Sequence, residues 1–142
     1  MDSNIKREII LENYQNPYHK EIINDDSFIK VNTRNSSCID NLDFQIKIEN
    51  NIIKDIYFTG EACAISTATS SIMIALLTNK TIEEALIIVE NYQNMIDEKA
   101  YDSNLLEAAN VFDEIYKQQN RKHCALLPWN GIKCVLLNYK ND

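Results

Sequence analysis

Leu42-Asp43-Phe44-Gln45-Ile46-Lys47-Ile48-Glu49-Asn50-Asn51-Ile52-Ile53-Lys54-Asp55-Ile56-Tyr57-Phe58 decides the fold class. Leu42 to Glu49 alternates apolar and polar strictly, the period of a strand with one face buried. Asn50-Asn51 reads as a tight hairpin turn, because Asn tolerates the left-handed backbone such a turn demands. Ile52 to Phe58 is then the returning strand. Upstream, Phe28-Ile29-Lys30-Val31 is a third, shorter strand signal, separated from the hairpin by the polar stretch Asn32–Asn41.

The rest of the chain reads as helical. Ile5 to Tyr14 places apolar residues at helical spacing, and Asn16-Pro17 ends the run. After Gly60, Ala64 to Leu77 is rich in small residues and uncharged, which suits a helix packed closely on the sheet. Thr81 precedes Glu84 by three residues, a capping-box start for a helix running to about Asp97. Asn104 to Gln118 carries Leu105, Leu106, Ala109 and Phe112 on one face of another helix. Pro128 lacks an N–H and fits a first helical turn, so the last helix is expected to begin between Cys124 and Leu127 and to run to about Tyr139. The sum is an α+β domain: a small three-stranded antiparallel sheet packed against about five helices.

The 142 residues suit one domain, and a chain this long needs no disulfide staples to close a core. Two glycines and two prolines exclude collagen-like and low-complexity classes. A net charge of −7 argues against nucleic acid and against an anionic membrane as partners. No apolar run approaches a bilayer span, and Met1-Asp2-Ser3-Asn4 does not begin a secretory signal. The expectation is a cytoplasmic protein whose four cysteines are reduced.

Three of those cysteines sit at element boundaries: Cys38 in the polar loop, Cys63 between strand and helix, and Cys124 at the expected start of the last helix. With Asp40 they offer three sulfurs and one oxygen, a set that can satisfy tetrahedral zinc. The alternative on residue chemistry alone is three unrelated buried thiols. Placement of Cys63 and Cys124 before helices favours thiolates, through the partial positive charge of a helix N-terminus. Arg121 and His123 flank Cys124, and Arg121 would offset the net negative charge of such a centre. Cys134 lies a further ~15 Å along a continuous helix, too far to share the metal, and reads as a small core residue.

These segments carry a family pattern. Ile10-Leu11-Glu12-Asn13-Tyr14-Gln15-Asn16-Pro17, Cys38-Ile39-Asp40, Phe58-Thr59-Gly60-Glu61-Ala62-Cys63-Ala64-Ile65-Ser66 and Arg121-Lys122-His123-Cys124-Ala125-Leu126-Leu127-Pro128-Trp129 occur in order. Across nearly its full length the chain resembles the NifU/IscU/SufU-type iron–sulfur cluster assembly proteins. Ile39 and Ala62 stand where the family has glycine. The long stretch between Cys63 and Cys124, the absence of a Leu-Pro-Pro-Val-Lys element, Arg121 and Trp129 resemble the zinc-binding SufU-like branch. His123, directly before the cysteine, resembles the IscU-like motif.

The resemblance implies a single NifU N-terminal-type domain over residues 1–142 with a SufE/NifU-like fold. It implies zinc held by Cys38, Asp40, Cys63 and Cys124. Cys38 would be the acceptor of persulfide sulfur from a partner cysteine desulfurase, supported by Arg121. Apo iron–sulfur proteins or a downstream scaffold would receive the product. The competing expectation is a non-enzymatic scaffold on which Cys38, Cys63 and Cys124 hold a transient 2Fe-2S cluster, since thiolates serve both metals. A zinc-stabilised interaction domain without transfer chemistry is the third.

Overall fold

The structure, a computed structural model, describes residues 1–34 and 39–141. Its elements are α1 (Ser3–Gln15), β1 (Ile29–Arg34), β2 (Asn41–Glu49), β3 (Ile52–Glu61), α2 (Ala64–Leu77), α3 (Ile82–Ile96), three short 3₁₀ segments, and α4 (Gln119–Asn141). The strands form one antiparallel sheet in the order β1-β2-β3. The α+β class and the three-stranded antiparallel sheet packed against helices are as the sequence implies.

The hairpin turns where the asparagines sit: Asn50 and Asn51 have φ of 53° and 64°. A register shift at Lys47/Ile48 displaces the alternation by one residue, so Leu42, Phe44 and Ile46 share the buried face with Ile53, Ile56 and Phe58. Phe44 and Phe58 stack across the strand pair with centroids 5.7 Å apart. α2 lies within this core, with eleven of its fourteen residues buried, and its small side chains permit the close approach. α3 starts at the expected capping box, Thr81 with Glu84.

Two glycines set backbone approaches that position the site. Gly60 has φ of +123°, and a Cβ there would run into the Asn41 carbonyl oxygen. This draws the end of β3 against the start of β2. Gly131 lets α4 lie against Thr33 of β1, where a side chain would collide with the threonine methyl.

Three expectations are corrected. Asn104–Gln118 is helical, but as 3₁₀ segments Ser103–Leu105, Glu107–Phe112 and Ile115–Lys117 rather than one α-helix. Glu107 sits at φ of 43°, and the Asn110 side chain donates to the carbonyls of Ser103 and Glu107, competing with an α-helical ladder. Cys134 is exposed rather than a core residue. It lies on the solvent side of α4, whose neighbours Val135 and Leu136 face the core.

α4 begins at Gln119, before Cys124, and carries Pro128 in its interior. Cys124 is therefore in the second turn, and the thiolate-favouring helix start predicted for it does not exist. An interior proline costs roughly 3 kcal/mol, because it removes one i→i−4 bond and crowds the preceding turn. Here the carbonyl left without that partner belongs to Cys124, and the Ser66 hydroxyl lies 3.0 Å from it. The next carbonyl, Ala125, accepts from the Tyr92 hydroxyl at 2.8 Å. Side chains of α2 and α3 thus tie down the turn that proline disturbs.

Candidate metal centre

Asp40, Cys63 and Cys124 converge from three parts of the chain. Asp40 immediately precedes β2, Cys63 follows β3 at the head of α2, and Cys124 projects from α4. One ligand atom from each lies within 4.8 Å of the others. Asp40 is 1% exposed and Cys124 2%, whereas Cys63 is half-buried and lines an opening to the surface.

Local structure explains the convergence. Cys63 is the N-cap of α2, with extended backbone at φ −67° and ψ 168°, and its sulfur lies 3.5 Å from the Ser66 amide nitrogen. Asp40 reaches the same helix head: its Oδ1 accepts from the Cys63 backbone N–H at 2.7 Å. Positive charge at the helix N-terminus favours the carboxylate there. The Cys63 thiol sits 3.8 Å from Asp40 Oδ2.

Ser66, whose role the sequence reading missed, knits the three residues together. Its fully buried hydroxyl lies 2.6 Å from Asp40 Oδ2, 3.7 Å from the Cys63 sulfur and 3.0 Å from the Cys124 carbonyl. The only signal in the sequence was a Ser three residues after the capping Cys63.

Burial is the main force pushing the Cys124 thiol above its ordinary range, with the neighbouring Cys63 and Asp40 adding to it. Three acidic groups in so small a space are a costly arrangement without a cation. A divalent ion reverses the balance, since it binds thiolates and carboxylates directly. Two sulfurs and one oxygen are zinc ligands by type, and their spacing fits donors ~2.0–2.3 Å from one ion. The set fits zinc, and thiolate chemistry also admits iron.

The remaining expected residues fall differently. Cys38, expected as the fourth ligand and sulfur acceptor, lies outside the described residues. Arg121 is exposed in the first turn of α4, and shares with Cys63 the lining of a groove of about 580 Å³. His123 is exposed and outside the cluster. Ile39 is 70% exposed beside Asp40.

An Asp/Cys/Cys cluster that could hold a metal ion, at the joint of a three-stranded sheet, a capped helix and a proline-bearing helix, marks a small α+β domain. The NifU-like N terminal domain family matches residues 5–142, and the chain belongs to that family. The Bacillus subtilis zinc-dependent sulfurtransferase SufU is 31% identical over 128 residues, spanning 89% of this chain and 86% of its own. The Thermotoga maritima iron–sulfur cluster assembly scaffold protein IscU is 28% identical over 112 residues, 79% of each chain. A Fervidobacterium islandicum crystal structure, described as an iron–sulfur cluster assembly scaffold protein for the SUF system, superposes with a TM-score of 0.82. It is 31% identical, over 91% of this chain and 94% of that one. No helix among the described residues is long and apolar enough to cross a membrane.

Proposed function

We propose that this protein accepts persulfide sulfur from a cysteine desulfurase and passes it into iron–sulfur cluster assembly, with zinc as its resident metal. The observation that carries the reading is the convergence of Asp40, Cys63 and Cys124 on one point, Asp40 and Cys124 buried and Cys63 opening onto a surface groove. Similarity to the zinc-dependent sulfurtransferase of Bacillus subtilis supports the same choice.

Zinc would be held by Asp40, Cys63 and Cys124 together with Cys38, and would keep the thiols deprotonated near neutral pH. Cys38 stands two residues before Asp40 in the sequence, a reach of at most ~7 Å. The Cys38 thiolate attacks the outer sulfur of the donor's persulfide. The donor's S–S bond breaks, its electron pair returns to the donor cysteine, and Cys38 carries the persulfide. Arg121, exposed in the groove beside Cys63, steadies the added anionic sulfur. Apo iron–sulfur proteins or a downstream scaffold then take it.

The test is metal analysis of the purified protein joined to a desulfurase assay. Bound zinc, no iron, and stimulation of cysteine turnover that vanishes in Cys38→Ala are expected. A reconstitutable, transferable 2Fe-2S cluster without stimulation overturns the proposal in favour of the scaffold reading, which the Thermotoga relative represents.

A further inference from the structure

The chain has three arginines against eleven lysines, and all three border openings that flank the metal centre. Arg34 lines the opening on the Asp40 side, while Arg7 and Arg121 line the groove that ends at Cys63. The eleven lysines are scattered over the chain, though two of them also reach this groove. Arginine differs from lysine in presenting a planar fork that matches a carboxylate bidentately.

The groove runs between α1, the head of α2, the 3₁₀ segments and the start of α4. Its apolar lining includes Ile10, Ile65 and Phe112. Four cations, Lys6, Arg7, Lys117 and Arg121, face a single acid, Glu114, in a chain of net charge −7. Lys6 is held by Asp113 at 2.6 Å and Lys117 by Glu114 at 3.4 Å. Arg7 and Arg121 have no carboxylate partner among the described residues. Two unpaired guanidiniums from different helices above an apolar lining are complementary to a chain segment bearing both carboxylates and apolar side chains.

We infer that this groove is the docking site for an acidic, partly apolar segment of the sulfur-donating protein, with Arg7 and Arg121 clamping its carboxylates. The inference rests on the proposed function, because the groove leads to Cys63 and would deliver the donor's persulfide to the centre. A segment seated there also places its long axis against α1, so Arg7 contributes to affinity without touching the reacting sulfur.

Arg7→Glu tests this, since Arg7 is exposed and its loss removes no hydrogen bond or ion pair within the described fold. Binding to the cysteine desulfurase is measured by titration calorimetry over a salt series, with zinc content and thermal stability as controls. Arg7→Glu is expected to weaken binding at least tenfold and to flatten its salt dependence, with zinc content unchanged. Arg7→Lys, which keeps the charge but loses the fork, is expected to fall between. Affinity within twofold of wild type in Arg7→Glu overturns the inference, and so does a wild-type chain that does not bind the desulfurase. Mass spectrometry of Cys38 separates the two proposals: binding that depends on Arg7 without any sulfur added to Cys38 refutes the transfer reading and leaves the docking site standing.

Discussion

Ser66→Ala removes one oxygen and tests how the centre is built. The Ser66 hydroxyl is fully buried and lies 2.6 Å from Asp40 Oδ2 and 3.0 Å from the Cys124 carbonyl. Alanine removes the single hydroxyl proton that the buried carboxylate and the proline-orphaned carbonyl share. An unmade hydrogen bond to a buried polar or charged group costs about 1–3 kcal/mol. Groups that orient metal ligands typically contribute 10–100-fold in metal affinity. Ser66→Ala is therefore expected to raise the zinc dissociation constant about 10–100-fold, read by competition with a chromogenic chelator, and to lower the melting temperature of the metal-free chain. Ser70→Ala is the control: Ser70 donates to the Ser66 carbonyl one turn back at 2.7 Å and contacts no ligand. It should leave zinc affinity within twofold. Equal affinity in Ser66→Ala and wild type refutes the argument that this hydroxyl positions Asp40.

Gly60→Ala combines a φ of +123° with a Cβ aimed at the Asn41 carbonyl, so a loss of at least ~1–3 kcal/mol is expected in urea unfolding. Trp129, fully buried, stacks on Tyr92 at 3.9 Å and donates its indole N–H to Thr69 at 2.8 Å, so Trp129→Ala should cost about 3–5 kcal/mol in the same assay. The folded metal-free chain holds the Cys124 proton more tightly than the unfolded chain. Its stability should therefore fall as pH rises above 9.0, the ordinary thiol value, in thermal melts across that range. Zinc binding displaces that proton, so apparent zinc affinity should drop as pH is lowered, by about tenfold per unit for each proton released. A pH-independent affinity contradicts thiolate ligation by Cys124.

The parts of the fold that follow from local pattern were legible in the sequence. Strict alternation from Leu42 to Glu49, the Asn50-Asn51 turn and the Thr81/Glu84 box are each decided by neighbours within a few residues. The family segments around Asp40, Cys63 and Cys124 likewise singled out residues that the fold brings together. Errors arose where a distant partner, a local side-chain hydrogen bond or the choice of helix face overrode the pattern. Pro128 argues for a helix start only if nothing else satisfies the Cys124 carbonyl, and Ser66, far away in sequence, does so. The stretch before Gln118 has an α-helical face, but Asn110 and Glu107 break its ladder locally. Cys134 faces solvent because the core side of α4 is already filled by Ile132, Val135 and Leu136, a choice of helix face that composition does not reveal.

The central claim is that one centre is built from Asp40, Cys63 and Cys124 and completed by Cys38. X-ray absorption at the zinc edge of the purified, zinc-loaded protein tests it in one measurement. The account predicts a first shell dominated by sulfur, three scatterers at ~2.3 Å with one oxygen at ~2.0–2.2 Å. A shell of oxygen and nitrogen alone, or of four sulfurs with no oxygen, contradicts it.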